Sequence, residues 1–120
     1  DVLKLRFQPG AAARNSTEKT RTLTFLGLML SGVDAPIVVA NLTNEVDGLT
    51  VAFDLANGVA LSNSGFLSAA NAGVPLALNA LVGSSADQAF TLTIDPAANP
   101  GVDFSSMYDV QAVFEYEAQV

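Results

Sequence analysis

Apolar residues recur at every second position along most of this chain, in short segments that end at Gly, Pro, Asn or Ser. A period of two puts successive side chains on opposite faces of an extended backbone, so the pattern predicts half-buried antiparallel strands rather than helices. About seven or eight such segments can be read. The first, Val2 to Gln8, sets Leu3, Leu5 and Phe7 on one face and Lys4, Arg6 and Gln8 on the other, and Pro9-Gly10 ends it. Residues 11 to 20 are small and polar and read as a loop. From Thr22 the alternation resumes with Leu23 and Phe25, then slips by one so that Leu26, Leu28 and Leu30 carry it. A β-bulge at Gly27 is expected to cause the slip.

Ile37 to Leu42 reads as a short strand entered at Pro36. Leu49, Val51, Phe53 and Leu55 then alternate with polar or small residues up to Asn57-Gly58, a dipeptide suited to the two positive φ angles of a type I′ hairpin turn. Val59 and Leu61 begin the return strand, and Ser62 to Gly73 reads as a crossing loop. Leu76 and Leu78 against Ala77 and Asn79 predict a further strand closed by Gly83-Ser84-Ser85. Phe90, Leu92 and Ile94 are predicted to face inward with Thr91 and Thr93 outward. The longest segment is the last, with Tyr108, Val110, Ala112, Phe114, Tyr116, Ala118 and Val120 on one face. At about 3.3 Å per residue it would span roughly 40 Å, long enough to bend or to serve two neighbours. The expected fold is all-β: one domain over residues 1–120, an immunoglobulin-like two-sheet sandwich, with residues 1–8 as an edge strand or as a strand donated to another molecule.

Composition narrows the chemistry. The chain has 120 residues and contains no His, Cys or Trp. The usual catalytic bases, thiol nucleophiles and nitrogen or sulfur metal ligands are therefore missing, and neither an enzyme nor a cofactor is expected. A domain of this length can bury a core without disulfides, so the lack of Cys leaves the redox compartment open. The formal charge is -7, and all five basic residues (Lys4, Arg6, Arg14, Lys19, Arg21) fall within the first 21 positions. That balance argues against nucleic acid and anionic membranes as partners. No apolar run approaches the roughly 18 to 20 residues of a membrane helix, and Asp1 to Gln8 lacks the features of a signal peptide.

Individual candidates mostly yield to plainer readings. Glu115 and Glu117 share a strand face about 6.6 Å apart, near the separation of two glycosidase carboxylates, but glutamates on an outer strand face are ordinary solvated charges. Asp95, Asp103 and Asp109 could offer oxygen ligands to calcium, yet loop aspartates more often bond nearby backbone N–H groups, and no dense calcium-loop motif is present. Asn15-Ser16-Thr17 and Asn41-Leu42-Thr43 fit the N-glycosylation triplet and read as chance, and Gly83-Ser84-Ser85 reads as a turn. The basic front segment differs in kind, because carboxylates beyond it have no other side-chain cation to meet; it is read as solvated charge or as a contact to the acidic body of a neighbouring copy.

Three stretches resemble subunits of bacterial fimbriae built by the chaperone-usher route, in particular the cysteine-free group containing the coli surface antigen pilins and the common pilus. They are Leu3-Lys4-Leu5-Arg6-Phe7-Gln8-Pro9-Gly10, then Leu42-Thr43-Asn44 through Val51 to Leu61 with Val74-Pro75-Leu76, and the closing Tyr108 to Val120. The resemblance implies an incomplete immunoglobulin-like fold that lacks one strand, filled first by a periplasmic chaperone and then, at an usher, by the N-terminal extension of the next subunit. It further implies export to the cell surface, with identical or related subunits and a host receptor as partners. Leu3, Leu5 and Phe7 would then act as donor or groove residues, with Val110, Ala112, Phe114 and Tyr116 along the groove. The physical logic is that a sheet lacking a strand exposes both apolar side chains and unpaired backbone groups. A secreted binding module, cohesin-like or carbohydrate-binding, is the rival reading, and a capsid or decoration protein is a third.

Overall fold

The computed structural model describes residues 2–8, 20–62 and 76–119. Among them seven strands form in chain order: β1 (Leu3–Phe7), β2 (Thr20–Ser31), β3 (Ile37–Asn44), β4 (Thr50–Ala56), β5 (Val59–Leu61), β6 (Phe90–Ile94) and β7 (Asp109–Gln119). Single 3₁₀ turns lie at Ala77–Leu81 and Pro96–Ala98. The protein is all-β. Its strands belong to one antiparallel sheet in the order β1-β6-β3-β4-β5-β2-β7, curled until it is nearly barrel-shaped. In an immunoglobulin constant-type arrangement the first strand lies beside the second. Here β1 lies beside β6, and β2 lies between β5 and β7.

The period-two reading fixes the faces. Leu26, Leu28 and Leu30 of β2, Val38, Ala40 and Leu42 of β3, Phe53 and Leu55 of β4, and Phe90, Leu92 and Ile94 of β6 are all buried in one core cluster. Thr91 and Thr93 are half-exposed between the buried members of β6. Each fully buried aliphatic or Phe side chain contributes about 1.5–3 kcal/mol relative to leaving it in water, so the interior of the curl is the main source of stability. The β4–β5 hairpin turns at Asn57 (φ 51°) and Gly58 (φ 82°), both in the left-handed region as a type I′ turn demands. Only one residue pair, Ala56 with Val59, joins these two strands.

Two sequence expectations change. The register slip in β2 falls between Leu23 and Phe25, with Thr24 as the extra residue, and not at Gly27. Gly27 stays in regular pairing with Leu61 and Val113. Its missing side chain leaves space for Phe25 and Leu61, which would lie 3.2 Å from a Cβ placed there. The segment at Leu76–Leu81 is a 3₁₀ turn rather than a strand. Leu78 and Leu81, three apart, are buried under β4 and β2, while Leu76 is exposed. In a 3₁₀ turn residues three apart lie over one another, so this spacing serves the core better than alternation would. The predicted crossing loop lies outside the described residues from position 63 to Gly73.

Buried polar side chains replace missing strand neighbours. Asn99 accepts from the Val39 N–H through Oδ1 at 2.7 Å and donates from Nδ2 to the Val39 carbonyl at 3.0 Å, doing for β3 what a further residue of β6 would do. Ser62 accepts from Leu26 N–H at 2.8 Å beside the bulge. Gln88 accepts from Val46 N–H at 3.0 Å and donates to the Ser85 carbonyl at 3.0 Å. Buried polar groups bonded in this way avoid the desolvation cost of an orphan, of order 1–3 kcal/mol.

Candidate functional site

The two ends of the sheet, β1 and β7, come to face each other where the curl falls short of closing. β1 is hydrogen-bonded to β6 alone and β7 to β2 alone, and no ladder joins β1 to β7 among the described residues. An open cleft of about 350 Å³ lies along this border, lined by Leu3, Leu5 and Phe7 on one side and Met107, Tyr108 and Val110 on the other, with Arg6 and Asp109 at its rim. Past the Phe7 end of the cleft, side chains of the two strands meet. The Phe114 ring lies 6.3 Å from Phe7 and 5.5 Å from Phe90, both tilted, within the range favourable for aromatic pairs.

Of the groove residues named from sequence, Leu3, Leu5, Phe7 and Val110 line this cleft, while Ala112 and Phe114 follow Val110 along β7; each of the six is half-buried against the core. Leu3, Leu5 and Phe7 belong to the chain's own sheet, opposite Ile94, Leu92 and Phe90. Tyr116 stands apart from the cleft, 39% exposed, with its ring 5.2 Å under the Arg21 guanidinium. Met107 and Tyr108 were not named as site residues. Tyr108 is 81% exposed at the cleft mouth, its N–H donating to the Ser31 carbonyl at 3.1 Å. Gly32, at φ +93°, lets the chain pass: a Cβ there would collide with the Ser106 carbonyl and the Tyr108 ring. The only sequence signal for Tyr108 was its place at the start of an alternating run, which marks it as apolar without showing that it lies beyond the strand.

The basic residues divide. Arg6 donates to Glu45 at 2.7 and 3.3 Å, an exposed two-pronged pair that holds its guanidinium above the ordinary arginine value, chiefly through this hydrogen bond. Arg21 is buried and donates to Asp87 Oδ1 at 3.0 and 2.5 Å. That bond, followed by the one to Tyr116, raises its pKa against the opposing effect of burial. The pair ties β2 to the segment before β6 and, through Tyr116, to β7. Lys4 faces outward on β1 with no ion pair among the described residues, and Arg14 and Lys19 lie outside them.

Two of the candidate carboxylates act as local caps. Asp95 accepts from Ala97 N–H at 2.9 Å. Asp103 accepts from Ser105 Oγ–H at 2.6 Å and its N–H at 2.9 Å, which draws its carboxyl below the usual carboxylate range. Asp109 opens β7 opposite Ser31. Among the described residues no three His, Cys, Asp or Glu side chains gather where they could hold a metal ion. Glu115 and Glu117 are exposed on the outer face, opposite Phe25 and Thr22. Asn41-Leu42-Thr43 sits within β3 with Leu42 fully buried, and Gly83-Ser84-Ser85 turns beside β2, Ser84 accepting from Leu23 N–H at 2.8 Å; the triplet at Asn15 lies outside the described residues.

The border offers apolar surface backed by two rows of backbone donors and acceptors, an arrangement suited to an extended peptide segment. Comparison with protein-family models, curated proteins and solved structures finds no match for this chain.

Proposed function

We propose that this chain is a non-enzymatic structural subunit of a bacterial surface fimbria, in which an extended strand of another subunit fills the border between β1 and β7. The observation that carries the reading is that, among the described residues, both sheet edges lack a backbone partner where they flank an apolar cleft. Long unpaired edges are ordinarily covered or blunted, because they invite pairing with other chains. Added backbone hydrogen bonds would supply affinity, and the apolar lining of Leu3, Leu5, Phe7 and Val110 would select side chains.

In this reading β1 is one side of the groove and not the strand that leaves to fill a neighbour. The immunoglobulin-like sandwich is kept only as a two-layer description: the sheet divides at the single Ala56–Val59 pair into β1-β6-β3-β4 and β5-β2-β7. The sequence resemblance supports export through the periplasm with a chaperone and usher, and placement at the cell surface. Amide exchange on the purified chain, alone and with an added strand peptide, tests the central claim. Residues Val110 to Phe114 should gain protection when the peptide is present. A chain that takes up no strand peptide, and stays monomeric when a chaperone and usher are supplied, would overturn the reading.

A further inference from the structure

We propose that the strand accepted at this border is apolar at alternate positions and acidic between them, with the carboxylate beside Lys4 deciding the preference. The inference rests on the strand-filling reading above and names the chemistry of the guest. A strand added to β1 must match its two faces, because side chains of neighbouring strands stand beside one another on the same side of a sheet. On the core side it meets Leu3, Leu5 and Phe7, and across the cleft Met107 and Val110, so its own inward residues must be apolar.

On the outer side β1 presents Lys4 and Arg6. Across the cleft, Gln111 and Val113 of β7 carry no charge; the nearest carboxylates on that strand, Asp109 at the rim and Glu115 on the exposed outer face, lie to either side of them. Arg6 already has Glu45 as a partner, with side chains 55% and 42% exposed, so water screens what remains of its charge. Lys4 is flanked by Thr93 and then Asn41 along the sheet and meets no carboxylate among the described residues. An outward carboxylate on the guest would complete a cross-strand ion pair there, whereas an outward cation would set like charges side by side.

This argues against residues 2–8 of a second copy as the guest. They have the right apolar alternation, but Lys4 and Arg6 occupy the outward positions. Residues 113–119 show the same alternation with Glu115 and Glu117 between Phe114, Tyr116 and Ala118, and so provide an acidic probe of equal length.

Calorimetric titration of the purified chain at low salt with two synthetic peptides, one copied from residues 113–119 and one from residues 2–8, tests the inference. The acidic peptide should bind about tenfold more tightly, and added salt should shrink the difference. Lys4→Gln should abolish most of the preference and Lys4→Glu should reverse it. Lys4 is exposed, so both variants should melt like the parent; if Lys4→Glu does not, Lys4→Gln alone decides. Equal binding of the two peptides, tighter binding of the cationic one, or a preference untouched by either substitution would overturn the acidic-guest proposal alone. Binding of neither peptide would overturn it together with the strand-filling reading.

Discussion

At the scale of single residues, Gly58 shows how a local rule and a distant contact can require the same side chain. Its positive φ is legible in the sequence, because Asn-Gly before a returning strand signals a type I′ turn. Its second constraint is not: Gly58 O accepts from Leu30 N–H at 2.7 Å, and a Cβ on Gly58 would lie 2.5 Å from the Leu30 carbonyl oxygen. Gly48, also at positive φ, has open space around it. Gly58→Ala is therefore expected to cost about 2 kcal/mol or more and Gly48→Ala about 1 kcal/mol, measured by urea unfolding. Equal costs would show that the approach to Leu30 does not matter. Gly32 and Gly27 were opaque for the same reason. What a missing side chain makes room for, Tyr108 in one case and Phe25 with Leu61 in the other, arrives from elsewhere in the fold.

At the scale of elements, alternation located the strands well where it was long and less well where it was short. β6 emerges with the predicted inward residues, whereas β7 does so at Val110, Ala112 and Phe114 but exposes Tyr108, Tyr116 and Ala118. β3 runs two residues further than predicted and β4 starts one residue later. The phase slip in β2 was visible but its position was not. Glycine suits a bulge, yet the structure places the extra residue at Thr24, where Ser62 can satisfy the nearby backbone. Leu76 and Leu78 satisfied a period of two over too few residues to separate a strand from a turn. The helical turn makes a sharp demand in its place: Leu81 is fully buried and Leu76 is 42% exposed. Leu81→Ala should lower unfolding free energy by about 2–5 kcal/mol, and Leu76→Ala should stay within about 0.5 kcal/mol of the parent. Similar losses at both positions in chemical denaturation would contradict the assigned turn.

At the scale of the whole molecule, the pattern reported which faces are buried but not which strands are neighbours, since pairing is settled by contacts far apart in the chain. The all-β class was therefore legible, and the single curled sheet was not. The cleft was half-legible: its two sets of lining residues were named, but only the strand order showed that they form opposite sides of one border. Amide exchange should rank the strands accordingly, slowest in β3 and β6, which have neighbours on both sides, and fastest on the open edges of β1 and β7. Edge amides as slow as those of β3 would mean that the edges are covered. The count of strands has a consequence of its own. In a row where each member opposes the next, an odd total sends the first and last the same way, so β1 and β7 could zip together only as a parallel couple, with slanted and slightly weaker bonding. One visitor travelling against both would make the number even and let the ring shut in uniform alternation, which the seven described strands by themselves cannot do.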